Sequence, residues 1–350
     1  MMFRKSLRSL GAATVMTIVT LGALEIILRV VDPRELREGV SERSLSYQYD
    51  ADLGWMPIPG SSSVVTNARA VHARHNSLGL RDDEFAPDAK PTIVFLGDSF
   101  VWGLDAEAGE RFSELLKPRI PDYKVLAAGV SGYGTDQEYL LLQKLWPRVK
   151  PAVVVLIFCT DNDRADNSTN IRYEGYQKPY FATAADRSLV LSGQPVPKSR
   201  LQAIKEDWWV RHSWLVRLAN AVYLKLRHPA VQVPDATERL VDKIREFVEA
   251  NGAKFLVGLQ TTDAALALHL QAAHIPFVAF DGAAFYPAQP VEGIGRQRDM
   301  GSSPRVCLDC CRRAALPRPR CAQNNPVRGE AANPRGRDIC GLVAYPGRGV

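Results

Sequence analysis

Histidine is scarce in this chain: there are six in 350 residues, and the last is His274. Residues 275–350 therefore offer no imidazole as a base or metal ligand. Cysteine is nearly missing from the first 306 residues, where Cys159 stands alone, so that stretch is neither a disulfide scaffold nor a cysteine-rich zinc fold. Internal repeats are lacking, which excludes solenoid and propeller arrays. Charge of one sign is lacking too. The formal charge is +6, but residues 296–350 hold 11 Arg, no Lys and four acids (+7), leaving −1 on residues 1–295. Such a body has no electrostatic footprint for a nucleic-acid partner. With 46% hydrophobic and 23% charged residues, wholesale disorder, collagen and coiled coil are excluded for the whole.

What is present begins with an apolar segment. Arg4, Lys5 and Arg8 precede a stretch without charge from Ser9 to Leu24, and beyond Glu25 the apolar pattern extends to about Arg29. A basic flank before such a run predicts a signal anchor or signal peptide within residues 1–31, with the remainder sent to the extracytoplasmic side. No clear small-x-small cleavage site follows, so an uncleaved membrane anchor is the favoured reading, and cleavage would make the product secreted. Residues 32–90 read as a linker and an irregular lead-in packed on the domain.

From residue 91 the pattern becomes regular. Residues 92–96 (TIVFL), 124–128, 152–158 (AVVVLIF), 255–258 and 276–280 are short apolar runs of the kind buried on both faces of a parallel sheet. Helical stretches alternate with them. Thr135-Asp-Gln-Glu138 and Asp235-Ala-Thr-Glu238 read as capping boxes, and Gly252 as a helix-ending glycine. Residues 164–233, rich in Tyr and Trp, interrupt the alternation as an insertion. The expectation is one α/β domain, a five-stranded parallel sheet with helices on both faces, over residues 91–290.

In open parallel sheets, ligands bind beyond the carboxyl ends of the strands. Those ends read Gly97-Asp98-Ser99-Phe100, Gly129-Val-Ser-Gly-Tyr-Gly134 and Thr160-Asp161-Asn162-Asp163. A serine, a glycine loop and an asparagine at successive strand ends can assemble a nucleophile, Ser99, and an oxyanion hole. Its donors would be the Ser99 and Gly129 amides and the Asn162 side chain. Taken together, these residues resemble the SGNH hydrolases, also called GDSL esterases and lipases, over roughly residues 91–285. The lead-in Asn76-Ser-Leu-Gly-Leu-Arg81 is similar to membrane-anchored bacterial members. The resemblance implies a flavodoxin-like sheet, Ser99 as nucleophile, and Gly129 and Asn162 as oxyanion donors. It implies no metal and no organic cofactor.

Phe100 and Thr160 depart from the family pattern mildly. The family's Asp and His, three residues apart after the last strand, have no counterpart: Asp299 is followed by Ser302. Without that base a serine hydroxyl is a poor nucleophile at neutral pH. The expected function is a serine esterase or deacetylase, impaired as written. Its partner would be an acylated small molecule or an envelope glycan, and the membrane through the N-terminal helix. An envelope polysaccharide O-acetyltransferase and a non-catalytic anchored binding module remain open alternatives. Residues 296–350 gain Arg, Pro, Gly and Cys as Lys and His vanish. The spacing of Cys307, Cys310, Cys311, Cys321 and Cys340 fits no zinc pattern well. This stretch is expected to be a frameshifted or disordered tail.

Overall fold

The computed structural model describes residues 2–38, 46–86, 90–173, 175–186 and 188–280. The expected tail, the position of Asp299 and everything else after Phe280 lie outside the described residues. All described residues belong to one compact unit within Met1–Arg318.

The chain starts with a long helix, α1 (Met2–Val31), then forms two antiparallel hairpins, β1 (Tyr47–Asp50) with β2 (Gly54–Pro57) and β3 (Ser62–Thr66) with β4 (Ala70–Arg74). The first buried strand, β5 (Thr92–Gly97), leads into a single helical turn, α2 (Ser99–Trp102), and a short helix, α3 (Phe112–Leu116). Next come β6 (Lys124–Gly129), α4 (Thr135–Val149) and β7 (Val153–Phe158). The insertion holds α5 (Asp163–Asn167), the hairpins β8 (Ile171–Arg172) with β9 (Tyr176–Gln177) and β10 (Tyr180–Thr183) with β11 (Leu189–Ser192), and then α6 (Arg200–Glu206), α7 (Trp208–His212) and α8 (Trp214–Arg227). Finally, α9 (Thr237–Ala250), β12 (Lys254–Leu259), α10 (Ala264–Ala272) and β13 (Phe277–Ala279) complete the alternation.

The five buried strands form one parallel sheet in the order β13-β12-β7-β5-β6. Counted along the chain this is 2-1-3-4-5, the flavodoxin-like order, and the expected fold class is the observed one. Alternation within each strand supplies two cores. Val94, Leu96, Val154, Leu156, Val257 and Leu259 face α4, α9 and α10, whereas Ile93, Phe95, Val153, Val155 and Leu256 face α3. Continuous apolar runs are required because both faces are covered.

Residues 47–80 of the lead-in pack on the domain, in part as two regular hairpins. Leu53 and Trp55 are fully buried in the larger core, and the Trp55 indole donates to the Ser131 carbonyl at 3.2 Å. The two expected capping boxes also differ. The first turn of α4 begins one residue earlier than its box requires: Gly134 is the N-cap and its carbonyl accepts from the Glu138 amide at 3.0 Å. Thr135 then lies inside the helix, its hydroxyl buried and without a partner. At α9, Asp235 accepts from the Thr237 amide, while Glu238 turns away to Arg164 at 2.6 Å. Gly252 does sit just past the end of α9, at φ 79°, a conformation favouring glycine.

Leu10–Val31 is long and apolar enough to cross a membrane, with mean hydropathy 1.9. Glu25, one of the two charged residues toward its C-terminal end, has a structural task. Its carboxylate accepts from the Trp214 and Leu215 amides and the Ser213 hydroxyl, each at 2.9 Å, and also from Arg29 Nε. It thus caps the N-terminus of α8 from another element.

Candidate active site

Strand β5 lies between β7 and β6, so the carboxyl ends of these three strands are neighbours. The direction of strand succession reverses between β5 and β7, which is where open α/β sheets collect ligands. The three residues singled out from sequence meet here. Ser99 follows β5, Gly129 ends β6 in register with Gly97, and Asn162 follows β7.

Asp98 makes the strand-to-helix turn at Ser99. It is buried, caps α2 by accepting from the Phe100 amide at 2.9 Å, and accepts from the Ser99 hydroxyl at 3.3 Å. The half-buried hydroxyl therefore points to a carboxyl, not to an imidazole. Burial pushes the Asp98 carboxyl up, opposed by bonds from Phe100, Cys159 and Ser99. Gly129 is a glycine because α2 lies on it: a Cβ there would fall on the Trp102 amide nitrogen and 2.5 Å from the Val101 carbonyl carbon. Asn162 spends one of its amide hydrogens on Asp166, at 2.7 Å.

Beneath this surface lies a group of acids that sequence reading missed. Asp163 is fully buried and accepts from the Cys159 amide at 2.7 Å through one oxygen, while its other oxygen has no partner. Glu138 is equally buried, and neither of its oxygens has a partner. Burial first, and then neighbouring carboxylates, pushes both carboxyls well above the usual range: Asp98, Asp136 and Asp166 act on Glu138, and Glu138, Asp98 and Asp166 act on Asp163. The nearby Asp136 and Asp166 are better served, by Lys178 and by Arg172 respectively. The Cys159 thiol donates to Gln260 at 3.2 Å, and burial pushes it up, so it is no thiolate nucleophile. Glu138 was hidden because Thr-x-x-Glu before an apolar run has the pattern of a cap.

Glu138 carries a pH signature. Its folded-state proton affinity is raised, so the folded state holds more protons than the unfolded chain at pH values above the ordinary carboxylate range. Its contribution is neutral at low pH and turns destabilising as pH rises. Glu138→Gln should leave thermal stability unchanged near pH 4 and raise it at pH 8, by about 1–3 kcal/mol. Melting curves of the full chain in detergent at the two pH values check this, and equal shifts at both would contradict it.

Among the described residues, two groups have donor spacing suited to a cation: Asp98, Cys159 and Asp163, and Asp82, Asp83 and Glu114. Lys117 already bonds all three carboxylates of the second group, at 2.7–3.1 Å. An open depression of about 420 Å³ lined by Asp82, Lys117, Tyr123 and Lys124 lies by the start of β6, at the opposite end of the sheet from Ser99.

No histidine is arranged as a base for Ser99 among the bonds described. Buried His75 accepts from the Trp102 indole through Nε2 at 3.1 Å, and its Nδ1 lies 3.0 Å from the Ser61 hydroxyl. An indole nitrogen only donates, so the Nδ1 atom carries the proton of a neutral ring. Burial, with Arg81 and Arg111 nearby, pushes His75 down to about 4. Exposed His72 pairs with Glu107, His212 binds the Trp208 carbonyl, and His269 lies 3.1 Å from Asp242. His274 precedes β13 and so sits at the amino end of the sheet. Of the insertion's aromatics, Tyr176 stands edge-on to Trp55 at 5.7 Å and Tyr173 leans on Gly132, whereas Trp208 and Trp209 are exposed.

No family model matches the sequence, and no curated protein matches it. Solved structures do. A member of the lipolytic protein G-D-S-L family from Veillonella parvula DSM 2008 matches at 13% identity and TM-score 0.33, covering 61% of this chain and 94% of that one. A GDSL-like lipase from Bacteroides thetaiotaomicron VPI-5482 matches at 14% identity and TM-score 0.33, covering 64% and 88%. AlinE4, an SGNH-hydrolase family esterase, matches at 11% identity and TM-score 0.33, covering 66% and 95%. These matches are GDSL and SGNH lipolytic proteins.

Proposed function

We propose that the chain is an SGNH-type serine ester hydrolase working through an acyl-enzyme at Ser99. The observation that carries this is the placement of Ser99 on a tight turn at the strand-order reversal, between Gly129 and Asn162. Ser99 Oγ attacks the ester carbonyl carbon, its proton passes to solvent base, and the alcohol leaves. Water then attacks the acyl-enzyme and releases the carboxylic acid and free Ser99. The Gly129 amide and the second amide hydrogen of Asn162 receive the oxyanion. The substrate class is an acylated small molecule or envelope glycan. The α1 helix anchors the domain on the extracytoplasmic side, its basic start remaining in the cytoplasm.

Because no histidine follows β13, turnover is expected to be slow, and the test supplies the missing base. Added imidazole should accelerate hydrolysis of a short-chain aryl ester by the full chain at least ~10-fold beyond the protein-free reaction, a fraction of the ~10²–10⁴ a positioned base provides. Ser99→Ala should show no such gain. Equal acceleration in both proteins removes Ser99 as the nucleophile. The missing base also favours a second reading, an anchored glycan-binding module, in which glycan binding is unaffected by Ser99→Ala and imidazole changes nothing.

A further inference from the structure

Helices α7 and α8 are amphipathic with the wrong face outward. Arg217 is buried, its guanidinium donating to the carbonyls of Leu36, Val210 and Arg211. Meanwhile Leu218, Val222 and Leu226, four residues apart and so along one stripe, are 40%, 48% and 73% exposed. Trp208 and Trp209, one helix earlier, are 61% and 71% exposed, edge to face with centroids 4.6 Å apart. A helix of a water-soluble domain turns such a stripe inward. The same segment carries Arg211, Lys225 and Arg227 at its surface, and residues 208–227 contain no Asp or Glu.

The tie to α1 identifies what covers this face. The apolar residues 10–24 would span about 22 Å as a helix, most of the ~30 Å hydrocarbon core. Directly after them Glu25 caps α8, and Arg29 donates to the His212 carbonyl at 2.7 Å. The polar Glu25–Arg29 pair belongs where the hydrocarbon ends, and it holds the α7–α8 junction at that same depth. Tryptophan is enriched at this level of a bilayer, and basic side chains there meet lipid phosphates.

We propose that α7 and α8 form a membrane-surface element. Trp208 and Trp209 enter the boundary between headgroups and acyl chains. The Leu218–Val222–Leu226 stripe lies against that boundary, and Arg211, Lys225 and Arg227 bind the phosphates of anionic lipid. This rests on the reading of α1 as an anchor and adds a second, surface-bound contact that fixes how the domain sits above it.

The experiment reconstitutes the full chain in phosphatidylglycerol–phosphatidylcholine vesicles whose lipids are brominated near the headgroup end of the acyl chains. Tryptophan fluorescence is compared between the wild type and W208F/W209F, and retention after an alkaline wash is measured in parallel. The expected result is retention of both proteins, with quenching of at least half the emission that Trp208 and Trp209 contribute. V222D/L226D should stay retained through α1 but lose that quenching. Retention with no quenching of these two tryptophans overturns the proposal and leaves the anchor standing. Loss of protein in the wash overturns both readings. A dimer in detergent that V222D/L226D dissociates, with no quenching, would assign the stripe to a second copy and also overturn the proposal.

Discussion

Lys178→Met should lower the unfolding free energy by about 3–5 kcal/mol, the usual consequence of leaving a buried charge without its partner. Lys178 is fully buried, with its ammonium group on Asp136 and on the carbonyls of Asp166 and Thr169, at 3.0 and 3.1 Å. Asp136 is as inaccessible as Lys178, and the charges of Asp98 and Asp136 add to burial in raising the proton affinity of Glu138. Removing the one ammonium group inside this set leaves a carboxylate to be neutralised by a proton or exposed by unfolding. The double variant Lys178→Met/Asp136→Asn removes both charges together and should recover more than half of the loss. Denaturant titration of the four proteins in detergent measures the coupling; additive losses would show that the pair does not act as a unit.

Gly129→Ala should be equally damaging, by about 3–5 kcal/mol, at the upper end of what overpacking costs. The added carbon would meet backbone, at the Trp102 nitrogen and the Val101 carbonyl carbon, not the free end of a flexible side chain. The turn cannot retreat, because Trp102 is fully buried, bonded to His75, and covered by the Arg81 guanidinium 4.6 Å from its ring. Gly109→Ala is the matched control: a Cβ there meets nothing within 4 Å, and its stability should change by no more than ~0.5 kcal/mol. Melting temperatures of the two variants decide the matter, and a Gly129→Ala protein as stable as Gly109→Ala would refute the packing argument. Gly129 thus has a packing reason to be glycine independent of any oxyanion. Loss of activity in Gly129→Ala alone does not establish a catalytic amide.

The five sheet strands were readable because strands covered on both faces must be apolar at consecutive positions, as in residues 153–158. The hairpins at residues 47–74 were not: β3 and β4 keep one face in water, β2 is buried throughout, and Pro57, Gly54 and the serines mask any strand pattern. What strand patterns do locate is position: Ser99, Gly129 and Asn162 all lie at the carboxyl ends of neighbouring strands. The acids beneath them were not readable. Asp163 and Glu138 belong to motifs that usually face water, and only tertiary packing brings them together. Glu25 is a similar case, a charge that looks like a defect in an apolar run until the helix it caps, almost 190 residues later, is in view.

That cap bears on how the domain is handled away from a membrane. A product trimmed after Val31 would lose Glu25 together with Arg29. The amides of Trp214 and Leu215 and the Ser213 hydroxyl would lose their acceptor, and the His212 carbonyl its donor. Trimming at residue 24 keeps all four bonds, whereas trimming at residue 31 breaks them. The N-terminal segment is therefore partly an apolar stretch long enough to enter a membrane and partly a piece of the domain. The boundary between the two runs between Leu24 and Glu25, within a single unbroken helix.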